Sequence, residues 1–239
     1  MPKKLPQKWL AHILFMKKNW WKILAVVLLI YTFIAGFLKP VPYLSNLGES
    51  IRNLYFHVPM WFGMMVLYTV SLVNAIRYLN KKDLRYDVLA EGYARSGIVF
   101  GVLGITTGMI WANYTWGEPW SNDPKQNGAA IGLLIYFAYM VLRNSITDLD
   151  KRARISAVYN IFAFFILIPA IWIMPRLEES LHPGGQGVEG NPGINGKDLD
   201  PSMRVIFWPA VIGWTLLGVW ITTLYIRLKK LKDKHLMHA

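Results

Sequence analysis

The chain has 239 residues, of which 54% are hydrophobic, 14% aromatic and 17% charged, with a formal net charge of +12 and no cysteine. Apolar residues gathered in long blocks exclude an ordinary soluble domain and point to membrane spans. The missing cysteine excludes disulfides, thiolate metal sites and a cysteine nucleophile. The positive charge could suit nucleic acid, but the basic residues sit just outside the apolar runs, so no nucleic acid partner is expected and the lipid bilayer is.

Residues 1–19 form a basic arm with Lys3, Lys4, Lys8, Lys17 and Lys18. The first apolar run, 20–38, is of spanning length and no small-residue cleavage site follows it, so it reads as a retained helix. Further spans are expected over 57–78, 95–111, 128–142, 155–174 and 205–226, the fourth being short for a bilayer of about 30 Å. Between the third and fourth lies a tryptophan-rich segment, 111–127. Its Trp116-Gly117, Pro119 and Pro124 argue against one continuous helix and for a folded loop. Between the fifth and sixth lies a polar, glycine-rich loop, 175–204, whose Asn191-Pro192-Gly193 suits a hinge or lid. The expected architecture is an all-α integral membrane protein, one domain over 1–239, with six transmembrane helices and outward-facing loops.

Orientation follows from the lysines and arginines. Lys39, Arg52, Lys125, Arg176, Lys197 and Arg204 fall in the first, third and fifth connections. The other 20 of the 26 fall in the N-terminal arm counted through Lys22, the second connection counted from Arg77 to Arg95, the fourth connection and the tail. With an even number of spans, both termini are expected in the cytoplasm and the tryptophan-rich loop outside.

The chain carries no G-x-x-x-x-G-K-[ST] and no G-x-G-x-x-G, hence no nucleotide motor of its own. No nucleophile or zinc-hydrolase motif is visible, and no enzyme is expected. Glu189, Asp198 and Asp200 lack the spacing of a calcium loop.

His12, His235 and His238 lie in the basic ends, as solvated histidines do. His57, in R-N-L-Y-F-H-V-P, and His182, in E-S-L-H-P-G-G, bracket the aromatic loop, and all three fall on the outer side. Pro59 is expected to fix a helix start beside His57. Two imidazoles from separate elements can take both axial positions of a haem iron. Trp111, Trp116 and Trp120 can cover the porphyrin. Arg52, Lys125, Arg176 and Arg204 are the outward cations available to propionates. Zinc is the competing metal, but it needs four ligands and leaves the tryptophans unexplained.

Trp116-Gly117, Trp120 and Asp123-Pro124-Lys125 resemble the tryptophan-rich signature of the haem-handling proteins of cytochrome c biogenesis. Tyr55 to Pro59 (Y-F-H-V-P), Leu181-His182, D-P-S-M at Asp200 and F-W-P ending at Pro209 are similar to the haem exporter protein C (CcmC) family. The resemblance covers nearly the whole chain. It implies haem b held on the outer side of the bacterial inner membrane by His57 and His182 and passed to the chaperone CcmE. It also implies association with the ABC-transporter subunits CcmA and CcmB and the small CcmD. Asp123 is expected to orient the loop by hydrogen bonding. The sequence departs from the pattern at Asn122, where an aromatic is usual, and in its longer glycine-rich loop.

The sequence admits three other readings. CcsA-like synthetase subunits share Asp-Pro-Lys but are larger. A b-type redox cytochrome places histidine pairs inside the membrane, and no histidine falls in mid-span. A small-solute transporter buries ionisable groups near the midplane, and the expected spans lack them.

Overall fold

A computed structural model describes residues 19–182 and 199–236 of the chain, with side chains to residue 232. The expected hinge at Gly184–Gly196, the acids Glu189 and Asp198, His12, His238 and most of the basic arm lie outside the described residues. Every regular element among the described residues is helical. They are α1 (Trp20–Leu38), a 3-10 turn (Gly48–Asn53), α2 (Leu54–Lys81), α3 (Leu84–Trp116), α4 (Pro124–Ser145) and α5 (Leu149–Ile168). A π-helical turn (Pro169–Ile173), the short α6 (Met174–Leu177) and α7 (Pro201–Leu236) complete the set.

Six of these segments are long and apolar enough to cross a membrane, with α5 counted through Leu177. The chain is thus an all-α, six-span membrane protein. Large apolar side chains such as Leu134, Val141 and Phe165 stand exposed around the bundle, where lipid is the natural solvent.

α1 coincides with its expected span, 20–38, whereas the other helices run past theirs, and the reason is visible at their ends. α3 begins at Leu84, capped by the Asp83 side chain on the Arg85 amide, and not at Arg95. Asp87 and Glu91 therefore lie inside a helix, buried. Arg143 of α4 forks onto Asp87 at 2.7 and 2.5 Å and reaches Glu91 at 3.1 Å. Arg95, Tyr225 and Lys229 also bond to Glu91. Charged residues expected in a connection are tolerated in the bundle because each is paired. Asp87, Glu91 and Arg143 stand near the start of α3 and the end of α4, outside the expected spans 95–111 and 128–142 and away from mid-span.

α2 is the central helix, packed against α3, α5 and α7. Its closest approach is to α3, along a seam of Gly97, Gly101, Gly104 and Gly108. These face Tyr68, Met64, Trp61 and His57 of the antiparallel α2. A Cβ on Gly104 would stand 2.8 Å from the Trp61 ring, and one on Gly101 3.0 Å from Met64 Sδ. Small residues let the two backbones close up where lipid supplies no hydrophobic drive.

Candidate haem-binding cavity

Because the helices alternate in direction, the start of α2, the end of α3, the start of α4, the end of α5 with its π turn, and the start of α7 share one end of the bundle. There they enclose a cavity of about 1260 Å³. Drug-sized ligands occupy pockets of roughly 300–1,000 Å³, so a porphyrin has room.

His57 enters from α2. The 3-10 turn and the first residues of α2 precede it, so it is not at the helix start, and Pro59 lies inside the helix. Its Nδ1 is 3.0 Å from the Gly104 carbonyl and 3.2 Å from the Thr107 hydroxyl. The carbonyl can only accept, so Nδ1 carries the proton and Nε2 keeps its lone pair. Trp61 and Trp111 flank the imidazole edge-on, with centroids at 6.1 and 5.8 Å. The Trp111 indole N–H donates to Ser50 Oγ at 3.2 Å.

The tryptophan-rich segment is only partly a loop. α3 continues through Trp116 and ends where Gly117 turns left-handed at φ 85°, a conformation glycine adopts without a Cβ penalty. α4 starts at Pro124, capped by Asp123, whose carboxylate accepts from the Lys125 amide at 2.8 Å. The turn between them is held by Gln126, which accepts from Ser121 and donates to the Pro119 carbonyl. Asn122 has φ 54°. Asparagine tolerates this region far better than bulky residues do, so the backbone at this position suits the residue found there.

His182 is brought to the same cavity by Asp123. Its Nδ1 lies 2.8 Å from Oδ1, while the Ser180 hydroxyl and the Leu181 amide each donate to Oδ2 at 2.7 Å. Burial disfavours the charged carboxylate. The bonds from His182, Ser180 and Leu181 outweigh that and hold Asp123 well below the usual carboxylate range. Trp116 meets the His182 ring edge-on, centroids 4.9 Å apart.

His57, His182, Trp111, Trp116, Trp120 and Lys125 thus line one cavity, with Asp123 behind His182. Arg52 does not line it. Its guanidinium is turned to Glu49 and to the Gly36 and Lys39 carbonyls, closing the end of α1. That position does not support the expected propionate contact. Arg176 and Arg204 do line the cavity. Arg176 lies over the Trp172 ring at 5.3 Å, and Arg204 Nε donates to the Leu199 carbonyl at 2.7 Å.

Trp61 and Trp172 also line the cavity and escaped the sequence reading. Pro169 was a usable sign for Trp172: a proline late in an apolar run breaks the regular helix, and here a π turn starts at it. No group of three or more histidine, cysteine or acidic side chains that could hold a bare metal ion exists among the described residues. Two imidazoles whose Nδ1 atoms are each turned to an acceptor, leaving Nε2 as the ligating atom, instead fit a metal already held by a macrocycle.

The model of the family described as Heme exporter protein C (CcmC) matches residues 5–238. The chain is 25% identical over 149 residues to the Heme exporter protein C of Paracoccus denitrificans, covering 62% of this chain and 61% of that protein. It is 27% identical over 165 residues to the Heme exporter protein C of Rhodobacter capsulatus, covering 69% and 68%. Over 96 residues it is 42% identical to a Cytochrome c biogenesis protein CcsA of Prochlorococcus marinus, covering 40% of this chain and 30% of that protein. The chain therefore spans about three-fifths of the length of the first of these relatives and under a third of the last. Matched by its family model across nearly all of its residues, this chain belongs to the Heme exporter protein C family.

Proposed function

We propose that the chain holds haem b in this cavity and presents it for cytochrome c maturation, handing it to a CcmE-like chaperone. His57 and His182 supply the axial nitrogens. The indoles of Trp111, Trp116 and Trp120, joined by Trp61 and Trp172, cover the porphyrin and keep water out. Lys125, Arg176 and Arg204 are the cations within reach of propionates. One observation carries this reading: two imidazoles from distant parts of the chain, each with Nδ1–H committed to an acceptor, line a single aromatic cavity. The family membership and the names of the relatives point the same way.

The positive-inside pattern supports an orientation with both termini cytoplasmic and the cavity facing outward, and the bacterial relatives favour a setting in the inner membrane. The absence of a nucleotide-binding motif leaves energy supply to partners, in keeping with CcmA- and CcmB-like transporter subunits and a CcmD-like small subunit. The chain's own part is binding and presentation, not catalysis.

The test is the absorption spectrum of purified protein from haem-replete cells. Wild type shows the bands of a six-coordinate, two-imidazole haem. His57→Ala and His182→Ala each lower occupancy, and the double variant is colourless. A colourless wild type, or a double variant with an unchanged spectrum, sinks the proposal.

A further inference from the structure

The two imidazoles that line the cavity are held by unlike partners. His57 gives its Nδ1–H to a neutral carbonyl, that of Gly104, at 3.0 Å. His182 gives its Nδ1–H to a carboxylate, that of Asp123, at 2.8 Å. The Asp123 side chain is 0% exposed. It is fixed from three other directions, by the Lys125 amide, the Ser180 hydroxyl and the Leu181 amide. This carboxylate cannot turn away from the imidazole without abandoning those donors as well.

An N–H aimed at a full negative charge is polarised more than one aimed at a carbonyl. Electron density then moves through the ring, and Nε2 becomes the stronger donor to a metal. Ferric iron carries more charge than ferrous iron and gains more from such a ligand, so hydrogen bonding behind an axial histidine is one of the levers on haem potential. The same carboxylate caps α4, so the turn bearing Trp120 and the segment bearing His182 are tied to one atom group.

We propose that Asp123 is a positioning residue that acts through His182 and makes the two axial ligands unequal. His182 is the stronger donor, His57 the weaker, and the site prefers ferric over ferrous haem. This rests on the reading of His57 and His182 as haem ligands. Asp123 itself does not touch iron.

The test is a potentiometric titration of the full-length, haem-loaded chain beside Asp123→Asn and Ser180→Ala. Asparagine keeps the helix cap and the size of the side chain but removes the charge behind the imidazole. Ser180→Ala removes one anchor of the carboxylate and leaves its contact with His182. Asp123→Asn is expected to lose about tenfold in ferric preference, a rise in midpoint of about 59 mV for a one-electron couple. Ser180→Ala keeps the charge behind the imidazole but loses one anchor of the carboxylate and the bond from the His182 amide, and is expected to shift by less than half as much.

Equal shifts in the two variants, or no shift in either while both keep haem, would overturn the role of Asp123 and leave the haem-binding reading standing. A wild type that binds no haem overturns both. Should Asp123→Asn fail to reach the membrane, the ¹⁵N resonances of the His182 ring in haem-free wild type decide. A hydrogen-bonded Nδ1–H tautomer supports the proposal, and an Nε2–H tautomer overturns it.

Discussion

Gly108 of α3 sits against His57 of α2 so closely that a Cβ built on it would stand 2.7 Å from the imidazole Cε1. The ring and the glycine are two halves of one fit, because the Gly104 carbonyl that holds His57 lies one turn earlier on the same helix. Gly108→Ala is therefore expected to push the ring off its acceptor and out of register with the iron. Misplaced partners of metal ligands typically cost about 10–100-fold in affinity. Haem occupancy of the purified variant should fall by that order, with protein yield near wild type. Unchanged occupancy would show that His57 has slack to spare.

Trp116 and Tyr114 leave the same turn of α3 in different directions. Trp116 meets His182, whereas Tyr114 is 78% exposed. Trp116→Ala removes an edge-on ring contact, worth about 0.5–1.5 kcal/mol beyond area burial, together with a wall of the cavity. A loss of haem affinity of roughly tenfold is expected, read by competition with an apo-haem protein. Tyr114→Ala should leave affinity unaltered. Equal losses in the two variants would reduce the aromatic segment to a membrane anchor.

The spans were legible because apolar runs in a membrane protein have few alternative uses. Their ends were less so. Asp87 and Glu91 look like connection residues until Arg143, 56 positions from Asp87, is seen to pair with them. Trp111–Trp116 read as loop because three tryptophans near a Gly-Glu-Pro suggest irregular chain, but only Gly117 onward departs from the helix. His57 and His182 stood out as the histidines beside apolar runs in the connections expected to face outward. Trp61 and Trp172 did not, since an indole within an apolar run looks the same whether it faces lipid or a cavity. The bond from His182 to Asp123 joins residues 59 positions apart. No local pattern encodes it.

Asn122 offers a test of backbone cause against side-chain function. At φ 54° an ordinary L-residue costs about 1–2 kcal/mol relative to the right-handed region, and asparagine less. Asn122→Gly is expected to keep haem occupancy and thermal stability within error. Asn122→Trp, which adds the aromatic that the sequence resemblance leads one to expect, should lower the stability of the turn and the occupancy with it. Higher occupancy for the tryptophan variant would mean that a missing stacking surface, and not the backbone, governs this position.

The buried charges at the far end of the bundle make a prediction independent of haem. The Arg143 side chain is 2% exposed and those of Asp87 and Glu91 7% and 5%. Breaking a buried pair by removing one partner typically costs about 3–5 kcal/mol, because the remaining charge keeps its desolvation penalty without its partner. Arg143→Met leaves Asp87 without its fork and Glu91 with only Arg95, Tyr225 and Lys229. It should lower the unfolding temperature in detergent more than any single substitution among the cavity tryptophans. Asp87→Asn combined with Arg143→Met should recover part of the loss, since the uncompensated charge is gone. The fraction that does fold should keep the wild-type haem spectrum, as the ionic cluster and the cavity lie at opposite ends of the same helices. A spectrum altered in the folded fraction would mean that the two ends are coupled, with α3 and α4 transmitting the change. A double variant less stable than Arg143→Met alone would show that Asp87 serves the fold through some contact other than Arg143.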